Sequence, residues 1–135
     1  MKKHIKAFTY EPKIPDVCCG NCTQTIRPDG KKPIEIGDII LFHGWSERPY
    51  HSEWSWRLKV EVIYVKRYWI NIQGIQCFRN NTLTKYEWDS KILDRLALLD
   101  GIVPAKGIEL KKVLLQMHDL SKEVPFKIIR WAIIK

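Results

Sequence analysis

Gly20-Asn21-Cys22-Thr23-Gln24-Thr25-Ile26-Arg27, continued by Pro28-Asp29-Gly30 and then Gly37-Asp38-Ile39-Ile40-Leu41-Phe42, is the stretch that organises this chain. Its second half, Thr23 to Arg27, alternates in polarity as a short strand does. Pro28-Asp29-Gly30 is a turn, because proline presets φ and glycine accepts a positive one. Ile39 to Phe42 is a short apolar run of the length of a buried strand, entered through a second turn at Pro33 to Asp38. Working outward, Ala7 to Asp16 reads as an opening strand around Phe8-Thr9-Tyr10, ended by Pro12 and Pro15.

Downstream, Trp54, Trp56, Leu58, Val60 and Val62 alternate with Ser55, Arg57, Lys59 and Glu61, a strict period of two that predicts a strand from Trp54 to Tyr64. Tyr68 to Ile72 predicts another, broken near Gly74 and resumed over Ile75 to Phe78. The spacing then changes. Trp88, Ile92, Leu96 and Leu99 recur every three or four residues and stop at Asp100-Gly101, a helix with a glycine C-cap. Leu110, Val113, Leu114 and Met117 predict a second helix over Glu109 to Leu120, and Phe126 to Ile134 a closing strand. Strands, two helices and a last strand predict an α+β fold, a small mixed β-barrel with helices at one side.

The chain has 135 residues, enough for one domain, and no internal repeat or linker divides it. Lys and Arg number 23 against 15 Asp and Glu, a net charge of +8 that favours polyanionic partners. Six tryptophans add stacking surfaces for bases if they are exposed. No apolar run approaches the roughly 18 residues of a membrane span, so no membrane partner is expected. The basic start is followed by polar residues and prolines rather than a secretory core, which predicts a cytoplasmic protein with reduced thiols. Cys19-Gly20-Asn21-Cys22 is a CxxC, but a structural zinc needs about four ligands, usually two such pairs. Only Cys77, His4, His43, His51 and His118 remain to complete it, and none forms a second short-spaced pair. No metal or cofactor is expected, although a zinc-stabilised module would use Cys19 and Cys22.

Glycine, a polar run ending in Thr25-Ile26-Arg27, and a later Gly37-Asp38 turn together resemble the ASCH domains of the PUA-like superfamily. Leu98-Leu99-Asp100-Gly101-Ile102 resembles that family's acidic stretch between two helices, and Glu109-Leu110 and Phe126 to Trp131 follow in matching order. The resemblance covers about residues 4 to 134 and implies a single ASCH/PUA-like domain over 1–135, a PUA-like β-barrel with two or three short helices. It implies a polar cleft that binds RNA or a modified nucleoside or nucleotide. One branch of the family consists of amidohydrolases that remove an acyl group from acylated cytidine with a Lys, a Thr and a Glu. On that pattern Thr25 is the threonine, Arg27 the arginine, and Asp100 lies near the glutamate's place. Cys22 stands where the family has lysine. A thiol is a poor substitute for the base a threonine needs, though Cys22 could itself attack if a cation such as Arg27 favoured its thiolate. His43 could also supply a base, but nothing in the spacing places it there.

The stretch His43 to Arg57 is the second candidate cluster, with three Trp, one Tyr, two Arg and two His. Arg48 and Arg57 offer forked donors to phosphate. Trp45, beside Gly44, is the expected stacking residue; Trp54 and Trp56 share a face with Leu58 to Val62 and divide between stacking and core. Arg130 lies in the apolar closing strand, where a charge needs a partner or a wet cleft, and is expected to face the same pocket as Arg27. The nucleic-acid-binding set is therefore Gly20, Thr25, Arg27, Trp45, Arg48, Trp54, Arg57 and Arg130. An amidohydrolase would use Thr25 or Cys22 with Asp100.

Overall fold

The computed structural model describes residues 1–8, 13–30, 32–45, 53–79, 82–121 and 124–134, apart from the side chains of Trp45, Trp54, Phe78, Arg79 and Val124. The chain forms β1 (Lys3–Ala7), α1 (Ile14–Cys19), β2 (Gln24–Pro28), β3 (Ile39–Trp45), β4 (Trp54–Asn71), β5 (Gly74–Arg79), β6 (Thr82–Glu87), α2 (Lys91–Leu99), α3 (Gly107–Met117) and β7 (Val124–Ile133). One mixed sheet carries all seven strands, so the class is α+β as expected. β1 runs parallel to β3, and the other pairings are antiparallel.

β4 organises the sheet. The two strands predicted at Trp54 to Tyr64 and Tyr68 to Ile72 are one 18-residue strand, carried past the middle by a register shift between Val62 and Tyr64. Its first half pairs with β3, its end with β5, and β7 follows most of its length. β7 in turn carries β2, with Gln24 opposite Arg130, Thr25 opposite Ile129 and Arg27 opposite Lys127. Among the described residues no ladder joins β2 to β1, so the expected barrel stays open there. The Arg27 side chain spans that gap, its Nη2 donating to the Ala7 carbonyl at 2.8 Å.

Two apolar cores fill the fold. Phe8, Val17, Ile40, Phe42, Val60, Ile129 and Trp131 pack beneath α1. Ile70, Ile75, Trp88, Leu93, Ala97, Leu110 and Phe126 pack beneath α2 and α3. α1 was not expected, because Pro12 and Pro15 read as breakers. Pro15 instead occupies the first helical turn, where its missing N–H costs nothing. The buried face of α2 also differs from the expected one: Leu93 and Ala97 enter the core, while Ile92 and Leu99 stay exposed. Gly101 ends α2 at φ +75, as its sequence predicts.

Asp38, at the turn before β3, ties β1 in place. It accepts from the backbone N–H groups of Lys2 and Glu35 at 3.0 Å each and meets His4 Nε2 at 2.9 Å. Burial opposes its ionisation, but the His4 contact and the two backbone donors outweigh it and hold the carboxyl well below its usual range.

Candidate functional site

A cavity of about 230 Å³ opens between β2, the end of β1, the residue preceding α1, the end of α2 and α3. β2 puts Thr25 and Arg27 on its wall, two residues apart and so on one face of the strand. β7 adds Lys127 directly across from Arg27. Lys6 comes from β1, Lys13 from the N-cap of α1 and Asp100 from the C-cap of α2. Leu110, Val113, Leu114 and Met117 make an apolar wall. Four cations thus face one carboxylate among the described lining residues.

The carboxylate is held on two sides. Lys13 Nζ lies 3.1 Å from Asp100 Oδ2, and the Gln24 amide donates to Asp100 Oδ1 at 3.2 Å. Burial raises the Asp100 carboxyl above its usual range, against the pull of Lys13 and Gln24. Arg27 is less satisfied. Its guanidinium lies over the Phe8 ring, 4.8 Å from the centroid, yet its buried Nε has no hydrogen-bond partner. Burial lowers its pKa to about 10, which leaves it charged at neutral pH. Lys127 is 3% exposed and its buried Nζ has no partner either. Burial, then the charge of Lys6, lowers its pKa. Like charges directly opposite on a sheet repel, so the Arg27–Lys127 pair holds positive potential in a partly dry space.

The structure brings together three of the expected residues, Thr25, Arg27 and Asp100, and places Gly20, Cys22, Arg57 and Arg130 outside the cavity lining. Gly20 takes φ +86 as the C-cap of α1, which gives it a turning role outside the cavity lining. Cys22 is buried behind the site, its thiol directed at the carbonyls of Gln24 and Leu99 at 3.5 and 3.7 Å. Burial raises its pKa, with Lys13 opposing, so a thiolate nucleophile at Cys22 is disfavoured. Arg57 is exposed on β4 opposite His43, away from the cavity. Arg130 does not share the pocket of Arg27. It lies over Tyr64 and lines a different groove, because it stands three positions from Lys127 on β7 and an odd offset along a strand points to the opposite face. The side chains of Trp45 and Trp54, and all of Arg48, lie outside the described residues.

Three cations of the site escaped sequence reasoning. Lys13 precedes an unexpected helix, and no local pattern marks it. Lys6 reads as one of several surface lysines. Lys127 had a signal: it is a charge within the apolar run Phe126 to Trp131, the same feature that drew attention to Arg130. Among the described residues no group of three or more His, Cys, Asp or Glu is placed to hold a metal. Cys18 and Cys19 are exposed thiols, and Cys22 and Cys77 buried ones.

No family profile matches the chain, and no curated protein matches it in sequence. Solved structures do share its architecture. An ASCH domain from Lactobacillus crispatus JV V101 superposes with a TM-score of 0.59 at 9% identity, covering 98% of this chain and 79% of that one. The hypothetical protein PH0355 superposes with a TM-score of 0.57 at 18% identity, covering 99% of this chain and 100% of that one. The fold is that of an ASCH domain, as the Gly20 to Arg27 stretch implied.

Proposed function

We propose that this chain binds RNA or a modified nucleotide by taking one nucleotide unit, with an anionic group, into the Arg27 cavity. The observation that carries this reading is the facing pair Arg27 and Lys127, each with a buried nitrogen lacking a partner. A phosphate or other anion would supply those missing acceptors through charge-assisted bonds. Thr25 would hydrogen-bond the base, and the α3 wall would cover its apolar faces. The cavity is smaller than the roughly 300–1,000 Å³ of most drug-sized sites, which favours a single unit over a duplex. A cytoplasmic setting goes with this reading.

Thermal denaturation with nucleosides, their monophosphates and short RNAs tests it. A ligand that binds only the folded state adds about 2.7 kcal/mol at a hundred times its dissociation constant. Monophosphates should raise the melting temperature more than nucleosides do, and Arg27→Ala should remove the difference. No shift from any of these ligands would refute the reading.

A second reading, an amidohydrolase acting on acylated cytidine, gains support from Lys13. The chain lacks lysine at position 22, but Lys13 brings one to the same cavity as Thr25 and pairs it with Asp100. In this reading Thr25 Oγ attacks the acyl carbonyl, the Asp100 carboxylate takes the hydroxyl proton and returns it to the leaving amine, and the Lys13 ammonium holds Asp100 in place. Water then releases the acid. Turnover of acetylated cytidine should be lost in Thr25→Ala and Lys13→Met and kept in Cys22→Ala. An inert wild-type protein ends this reading without touching the first.

A further inference from the structure

Beyond the cavity, a second groove of about 400 Å³ lies where Arg130, Tyr64, Lys66 and Tyr68 meet Tyr86 and the exposed side of α2. Its cations are Lys66, Arg95 and Arg130, and no carboxylate lines it among the described residues. Three tyrosines supply aromatic surface, and Ile92, 55% exposed, and Leu99 form an apolar lip that the protein core does not cover.

Arg130 is the organising residue. Its guanidinium lies 4.5 Å from the Tyr64 ring centroid, and its Nε donates to Gln24 Oε1 at 2.9 Å. Ring and amide together fix the plane of the guanidinium, while the residue stays half-buried rather than sealed. Tyr64 and Tyr68 hold each other through their hydroxyls, 3.3 Å apart, and Lys66 Nζ lies 5.5 Å from the Tyr68 centroid. A fixed guanidinium plane beside aromatic rings is a platform for an unpaired base, and flanking cations suit its phosphates. The groove has the volume of a small-ligand site, room for a splayed base and its sugar but not for a duplex.

We infer that this groove is a binding surface for single-stranded nucleic acid, with bases stacked on the Arg130 platform and phosphates held by Lys66 and Arg95. This goes beyond the cavity reading and names a surface on which a strand would lie. The two sites touch the same residue, since the Gln24 side chain bonds Arg130 with its oxygen and Asp100 with its nitrogen. An acidic peptide would match the charge but has no flat group for the platform, so the observations favour a nucleic acid.

Fluorescence anisotropy with a labelled single-stranded RNA of about eight nucleotides tests the inference. The double variant Lys66→Glu/Arg95→Glu should weaken binding about tenfold or more and flatten its salt dependence. An abasic strand of equal length and charge should also bind about tenfold more weakly, because stacking is removed. Arg130→Lys, which keeps the charge and loses the plane, should weaken the intact strand more than the abasic one. If the charge reversals disturb folding, Lys66→Gln/Arg95→Gln replaces them. Equal affinity for intact and abasic strands, displacement of RNA by poly-glutamate at matched charge, or unchanged binding by the charge variants would each overturn it. The cavity is scored separately: no monophosphate thermal shift in the wild-type protein, with strand binding intact and weakened by the Lys66/Arg95 variants, fails the cavity reading and leaves the groove standing.

Discussion

Lys13 Nζ and Asp100 Oδ2 are 3.1 Å apart, with both side chains less than a tenth exposed. The two residues are 87 positions apart in sequence and both line the cavity, so the N-cap of α1 and the C-cap of α2 are joined through a buried ion pair. Removing one member leaves the other without its counter-charge. Lys13→Met should therefore cost about 3–5 kcal/mol, read from urea unfolding. Lys13→Met/Asp100→Asn should recover most of it, because the asparagine oxygen still accepts from Gln24. A single variant as stable as the wild type would show that the pair does not hold the helices.

Removing the Lys127 amine has the opposite effect on stability. Its buried ammonium lacks a partner and faces Arg27, so Lys127→Met should stabilise the ligand-free protein by about 1–2 kcal/mol. The same substitution should abolish the thermal shift given by a nucleoside monophosphate. Destabilisation by Lys127→Met would mean that the amine is already satisfied in the folded chain.

Asp38 sets an acid limit. Its folded-state carboxyl is held below the ordinary value, so its contribution is complete above the unfolded carboxylate range near 4. It is lost as pH falls from there toward the depressed folded value. Urea midpoints measured from about pH 6 down to about pH 3 should drop more steeply in the wild type than in Asp38→Asn. Parallel curves would remove Asp38 from this role.

The thiols divide cleanly. A thiol reagent should modify Cys18 and Cys19 in the native protein, while Cys22 and Cys77 react only after unfolding. Rapid labelling of Cys22 in the folded state would reopen its candidacy as a nucleophile.

How much of this was legible beforehand depended on whether a residue's role is local. β3 and β7 could be read from their apolar runs and the first half of β4 from its period-two alternation, and Gly101 because the left-handed position just past the helix end selects glycine. α1 hid behind prolines that start a helix as well as end one. β6 left little trace, since Thr82 to Glu87 has no buried residue to give it an apolar face. On α2 the stripe Ile92, Leu96, Leu99 looked like core, yet two of its members form the lip of the Arg130 groove. Thr25, Arg27 and Asp100 could be placed at the site by resemblance. Lys13 could not, because it reaches Asp100 from 87 positions away in sequence through a fold that had first to be known.

The bond from Arg27 to the Ala7 carbonyl gives the open side of the sheet, between β1 and β2, a readable state. β1 is fastened to β3 by its ladder, but toward β2 only this guanidinium reaches it among the described residues. An anion that draws Arg27 into the cavity would slacken that fastening, and one that presses it against Phe8 would tighten it. Amide exchange at Phe8, whose N–H is bonded to the His43 carbonyl at 2.9 Å, would then act as a gauge of occupancy. A spectroscopist could follow the loading of the cavity from a single backbone proton, with no label on the ligand.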